Sequence, residues 1–212
     1  MSAVLDTLPE ALREPVERWL ERFGDTTKAD ALAHIVACSE FAGTVALREK
    51  DWLLENVASF ELAPDPQQLE TFVTDVASTD ADVAEVKTRL RRFRNRYMLH
   101  VLWREIFALA SLDETLHSLS LLADRLLDAA GQYSSNRLAP RYGHLRNAEG
   151  GPVPPVILGM GKLGGYELNF SSDVDLIFLY PEAGETDGAK RISAQEYFGR
   201  WSRQVIALLD ET

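Results

Sequence analysis

The chain of 212 residues has a single cysteine, which excludes a disulfide framework. That residue, Cys38, ends the apolar stretch Ile35-Val36-Ala37 and reads as a small core residue of a protein kept in a reducing, cytoplasmic compartment. No run of 18 apolar residues occurs, so no transmembrane helix is expected. Residues 1–6 lack the basic-then-apolar layout of a signal peptide. Basic residues are scarce. Lys and Arg number 22 against 33 Asp and Glu, a net charge of −11, so no strong positive field is available for a nucleic-acid backbone. The histidines, His34, His100, His117 and His144, show no pair at metal spacing, which argues against zinc. What is present is an apolar content of 46%, enough to build a core and to exclude disorder.

Up to about residue 131 the apolar spacing is helical. Leu12, Val16, Trp19, Leu20 and Phe23 form a one-sided stripe that Gly24 stops. Thr27 and Asp30 can cap a second helix running through Ile35 and Phe41 toward Arg48. Pro64 and Pro66 mark a loop before a helix over 69–77. The longest helical stretch spans 80–110, without proline or glycine. Lys87, Arg89, Arg91, Arg92, Arg94 and Arg96 crowd it and read mostly as a solvated face. Arg92 and Arg96, at i and i+4, could face a site or an acidic partner. Ser111-Leu-Asp-Glu114 is a capping box opening the next helix, which Gly131 is expected to end. Trp19, Trp52, Trp103 and Trp201 fall on apolar faces and read as core.

The texture then changes. Residues 140–155 are rich in glycine and proline. Val156-Ile157-Leu158 reads as a short buried strand, and Asp173 to Tyr180 as a second, ended by Pro181. Ser193-Ala-Gln-Glu196 is a capping box for a last helix through Trp201, Val205 and Leu208. The pattern predicts an α+β protein: a mostly helical region over 1–131, then the start of a mixed sheet in an incomplete domain over 132–212. A sheet of only two strands is marginal, and its edge stays open.

The chemistry lies between the strands. Gly159-x-Gly161-x-x-Gly164 after a strand matches a dinucleotide fingerprint literally. Too few residues follow for its crossover helix, and the acids open the second strand instead of closing it. A Walker loop fails because Leu163 follows Lys162. A nucleotidyltransferase site fits better. A glycine-rich turn leaves backbone N–H groups for phosphate oxygens. Alternation along a strand puts Asp173 and Asp175 on one face, where they can share a magnesium ion, with Val174 and Leu176 turned into the core. Lys162 adds a positive point charge beside the phosphates. Glu167 and Asn169 read as structural supports of the turn.

The run from Gly161 to Phe178, Gly-Lys-Leu-Gly-Gly-Tyr-Glu-Leu-Asn-Phe-Ser-Ser-Asp-Val-Asp-Leu-Ile-Phe, closely resembles the glutamine synthetase adenylyltransferases, also called adenylyl-removing enzymes. Their halves belong to the DNA polymerase beta-like nucleotidyltransferase superfamily. The Glu-Leu-Asn-Phe-Ser-Ser wording, with Tyr-Pro-Glu at 180–182, resembles the N-terminal, adenylyl-removing half. Residues 90–98 resemble the family's helical segment, with Tyr97 where glutamate is expected. The resemblance implies metal-dependent phosphorolysis of adenylyl-tyrosine on glutamine synthetase, giving ADP and free tyrosine. It implies Asp173 and Asp175 as catalytic magnesium ligands, with Gly161, Lys162, Gly164, Gly165 and Ser172 on the nucleotide and phosphate side. The partners it implies are glutamine synthetase, a PII nitrogen-regulatory protein, phosphate and ADP or ATP, with no nucleic acid and no membrane.

The superfamily uses a third carboxylate, in this family within an Asp-x-Arg-Leu-Arg-Pro-like segment. None stands before Thr212. The expectation is therefore a truncated chain, inactive alone. Two other readings stay open: the ATP-dependent adenylylating half, and a silent fragment that docks glutamine synthetase or PII.

Overall fold

The computed structural model describes residues 4–147 and 149–210. The N-terminal reading against a signal peptide falls partly outside them, on residues 1–3. In chain order the helices are α1 (Glu10–Phe23), α2 (Ala29–Cys38), α3 (Glu40–Arg48), α4 (Lys50–Asn56), α5 (Pro66–Ala77), α6 (Val83–Ile106) and α7 (Leu112–Tyr142). Strand β1 (Val156–Gly159), the single turn α8 (Gly161–Gly164), strand β2 (Leu176–Leu179) and α9 (Ala194–Leu209) follow. This is the expected mostly helical α+β composition. No helix among the described residues is long and apolar enough to cross a membrane.

The chain forms two compact units. One comprises Met1–Pro64 with Asn95–Thr115, and the other Asp65–Arg94 with Leu116–Thr212. The first is all helical. Its core gathers Trp19, Phe23, Leu32, Ile35, Val45, Leu53, Phe60, Leu99 and Trp103. Trp19 and Phe23, one turn apart on α1, stack at 5.0 Å, and the indole N–H of Trp19 donates to the Gly43 carbonyl at 3.0 Å. The expected single helix toward Arg48 is two. Ser39 adopts an extended conformation and its hydroxyl caps α3 by accepting from Ala42 N at 3.2 Å. No side chain caps α2. Cys38 is exposed, not core: it is the last residue of α2, beside that break. Arg96 is occupied structurally, with its Nε donating to Glu49 at 2.7 Å and its guanidinium 4.7 Å above the Trp52 ring. Tyr97 is buried, and burial pushes its hydroxyl up to about 12.

In the second unit α7 runs through Gly131 to Tyr142, where a stop was expected. The glycine serves a close approach instead. A Cβ there would lie 3.0 Å from the Trp201 ring, whose Nε1–H donates to the Gly131 carbonyl at 2.9 Å. Both capping boxes form on the hydroxyl side: Glu114 N (in the first unit) and Glu196 N each donate to their serine at 3.2 Å. Their glutamates turn to arginines, Arg104 and Arg200, in place of the serine amides.

Strands β1 and β2 pair antiparallel, from Val156 opposite Leu179 to Gly159 opposite Leu176. One face meets α9: Phe178 packs edge-on to Trp201 at 5.9 Å, and Tyr180 stacks on Phe198 at 5.1 Å. The other face carries Val156, Leu158, Ile177 and Leu179, all more than 40% exposed.

Candidate functional site

The ladder ends at Gly159 and Leu176, and one further bond joins Met160 N to the Asp175 carbonyl at 2.9 Å. Beyond it the chain coils into α8 on one side, so Asp173 and Val174 have no strand to pair with. The second strand therefore starts at Leu176 and not at Asp173, and Val174 is exposed, not core. The single backbone bond still fixes the start of the glycine turn against Asp175.

Two glycines are required by the turn. Gly161 has a φ of +53°, which side-chain-bearing residues rarely adopt. A Cβ on Gly164 would stand 2.5 Å from the Gly159 carbonyl oxygen. The N–H groups of Gly161, Lys162 and Leu163 open α8 and have no carbonyl one turn earlier within it to bond, whereas Gly164 N donates to the Met160 carbonyl at 3.3 Å. Gly165 likewise spends its N–H on the Gly161 carbonyl at 3.1 Å.

Asn169 organises the segment before the acids. Its Oδ1 accepts from Ser171 N at 3.2 Å and from the Ser172 hydroxyl at 2.6 Å. Lys162 Nζ reaches across to donate to Ser172 Oγ at 3.1 Å. Lys162, Ser172 and Asn169 thus form one chain of hydrogen bonds joining the turn to the acid segment. Asn169 is structural, as its position suggested. Glu167 contributes only its backbone N–H, to the Lys162 carbonyl at 2.7 Å.

Asp173 and Asp175 are both exposed, and neither carboxylate has a hydrogen-bond or ion-pair partner among the described residues. Lys162 forms no ion pair with either, and its ammonium donates to the Ser172 hydroxyl. Unengaged carboxylate oxygens suit a hard divalent cation. No cluster of three His, Cys, Asp or Glu able to hold a metal occurs among the described residues.

The sequence reading missed what anchors this loop. Tyr166, with a φ of +58°, donates its hydroxyl to Asp124 on α7 and lies 5.5 Å from the His117 ring. The bond to Asp124 raises the Tyr166 hydroxyl above its ordinary range, because the carboxylate stabilises the protonated phenol. Two residues on, Leu168 N donates to the buried hydroxyl of Ser120 at 3.1 Å. These partners stand more than 40 residues apart in the chain. No local pattern signals them.

The profile of the glutamate-ammonia ligase adenylyltransferase family matches residues 29–212. The chain is 42% identical, over 98% of its length, to a bifunctional glutamine synthetase adenylyltransferase/adenylyl-removing enzyme of Thioalkalivibrio sulfidiphilus. Proteins of the same description from Pseudomonas aeruginosa and Xanthomonas campestris are 38% and 36% identical over 99% and 100% of it. The chain spans only 22%, 21% and 23% of these three relatives, about a fifth of each.

Proposed function

Since the chain belongs to the glutamate-ammonia ligase adenylyltransferase family, we propose that it carries part of an adenylyl-removing site acting on glutamine synthetase. The observation that carries this reading is the juxtaposition of a glycine turn with two unpaired carboxylates, joined by the Met160–Asp175 and Lys162–Ser172 bonds. The names of the relatives include glutamine synthetase and both directions of adenylyl transfer. The Glu-Leu-Asn-Phe-Ser-Ser wording favours removal.

In the proposed reaction a phosphate oxygen attacks the phosphorus of adenylyl-tyrosine. The bond from phosphorus to the tyrosine oxygen breaks, ADP leaves, and the tyrosine oxygen takes up a proton. Amides that open α8, those of Gly161, Lys162 and Leu163, bind phosphate oxygens, while Gly164 N is held by the Met160 carbonyl. Gly165 closes the turn. Lys162, oriented by Ser172, offsets the developing negative charge. Asp173 and Asp175 would hold magnesium, which supplies charge stabilisation to the attacking and leaving oxygens of an in-line displacement. A PII protein is proposed as the regulator. With two carboxylates in hand, the chain by itself is proposed to be inactive or nearly so, since losing one preorganised electrostatic group costs roughly 10² to 10³ in rate.

The test is ADP release from adenylylated glutamine synthetase with phosphate and magnesium. A chimera carrying this chain in place of the matching segment of the T. sulfidiphilus relative is compared with its Asp173→Asn/Asp175→Asn variant and with the 212-residue chain. Release by the chimera and loss in the variant supports the reading. ATP-dependent modification that the double variant abolishes, without ADP release, assigns the site to the adenylylating direction. Unchanged release in the variant overturns the acid pair, and tight binding of glutamine synthetase or PII without chemistry makes the chain a docking module.

A further inference from the structure

A cleft of about 400 Å³ in the second unit lies between the end of α7 and the middle of α9. It is lined by Arg137, Arg141 and Tyr142 from α7, and by Arg200, Arg203 and Gln204 from α9. The spacing explains the convergence. Arg137 and Arg141 are i and i+4, while Arg200, Arg203 and Gln204 are i, i+3 and i+4, so each set shares one helix face. None of these residues belongs to the glycine turn or the acid pair.

Four arginines line this cleft in a chain whose net charge is −11. Two other arginines of the same unit are ion-paired: Arg125 with Glu70 and Asp128, and Arg146 with Asp187. In the cleft only Arg200 has an acidic partner, Glu196 at 2.8 Å. Arg137, Arg141 and Arg203 have none among the described residues. Of the four arginines that line the cleft, one is ion-paired. Like charges at such spacing repel, and an anion held between the helices relieves that repulsion.

The Tyr142 ring is buried, and the guanidinium groups of Arg141 and Arg200 lie 5.4 and 5.5 Å from its centre. Two of the four cations are therefore held in place before any ligand arrives. With its ring buried and two arginines set over it, Tyr142 offers no open aromatic face to stack a nucleobase. The recognition chemistry is that of phosphate. A tetrahedral diphosphate presents oxygens toward both helices, and the guanidinium fork matches phosphate geometry.

We propose that this cleft is an anion site, separate from the acid pair, that binds the diphosphate group of a small molecule. It does not rest on the adenylyl-removing reading. The chemistry is shared by inorganic pyrophosphate and by the phosphates of a nucleoside diphosphate, and the arms of the test separate them.

The test is calorimetric titration of the 212-residue chain at low salt with EDTA present, which keeps divalent metal from the acid pair. Ligands are pyrophosphate, ADP, adenosine and citrate. Pyrophosphate and ADP are expected to bind with similar affinity, weakening as salt rises, and adenosine not at all. Arg137→Ala/Arg203→Ala is expected to weaken binding about a hundredfold, roughly tenfold for each arginine removed from the phosphate. Its thermal melt should match the parent, since neither side chain has an acidic partner among the described residues. Asp173→Asn/Asp175→Asn should bind as the parent does. Four outcomes overturn the proposal: no binding of pyrophosphate at millimolar concentration, undiminished binding in the arginine variant, loss in the aspartate variant, or citrate binding as tightly as pyrophosphate. ADP binding much more tightly than pyrophosphate would overturn the claim that phosphate alone is read.

Discussion

The helical core of the first unit and the strand pair of the second use the same kinds of side chain to opposite effect. Phe23, Leu32, Ile35 and Phe60 are at most 1% exposed. Val156, Leu158, Ile177 and Leu179 are all above 40%. Helices bury their stripes against each other with short connections, so about 85 residues can close a core within themselves. A two-stranded sheet has two faces, and α9 covers one. The other has no layer over it among the described residues. The comparison separates the part of the chain that closes a core from the part that carries the candidate site. The glycine turn and acid pair sit at the end of the half-covered strand pair, held by single bonds to Asp175 and Ser172 and by anchors on α7.

The sharpest way to break that contrast is a pair of truncations. Phe23→Ala removes a fully buried ring stacked on Trp19 and is expected to destabilise the first unit by about 3–5 kcal/mol. Leu158→Ala, on the open sheet face, is expected to cost about 0.5 kcal/mol or less. Urea unfolding followed by circular dichroism reads both. Equal losses would mean that the exposed face is packed in solution. The next effect probes where the second unit is closed. Gly131→Val places methyl groups against the Trp201 ring, where even a Cβ would stand at 3.0 Å. Overpacking of that kind is expected to cost about 1–3 kcal/mol by thermal melt. A neutral result would show that α7 and α9 separate easily.

Much of this contrast is legible in the sequence, and the failures have physical causes. The helical stripes and both capping serines are readable because helix periodicity and caps are local. The break at Ser39 escapes notice because no proline or glycine marks it. Gly131 reads as a stop because a glycine's meaning here depends on Trp201, 70 residues away. Residue pattern starts the second strand too early, at Asp173, because its true start is set by where β1 ends and not by its own residues. Cys38 reads as core because composition does not report the side of a helix end. The turn and acids are readable together since they lie within 15 residues of each other. The anchors Asp124 and Ser120, and the arginines of the α7–α9 cleft, are brought together only by folding.

Two smaller effects sharpen the picture of the first unit. Ser39→Ala removes the cap on α3 and is expected to cost about 1 kcal/mol in urea unfolding, since Ala42 N is left without its acceptor. Ser39→Asp should restore it. The smallest effect is one of pH. His100 is buried, stacks on Phe60 at 4.2 Å, and pairs through Nε2 with the Leu62 carbonyl at 2.9 Å. Burial lowers its pKa below the ordinary imidazole value, opposed by the Leu62 bond, reinforced by Arg104 and opposed by Glu114. The folded state then binds the proton less readily than the unfolded chain. Stability from this group is present above the unfolded value of about 6.5 and is lost as pH falls through it toward the lower folded value. The opposing bonds to the charged form keep the effect small. Urea midpoints of the parent should therefore decline as pH drops from about 7 to 5. In His100→Gln, which keeps a donor for Leu62 but has no titrating ring, the decline should be shallower. A parallel decline in both proteins would assign the acid sensitivity to other groups and leave His100 a purely packed ring.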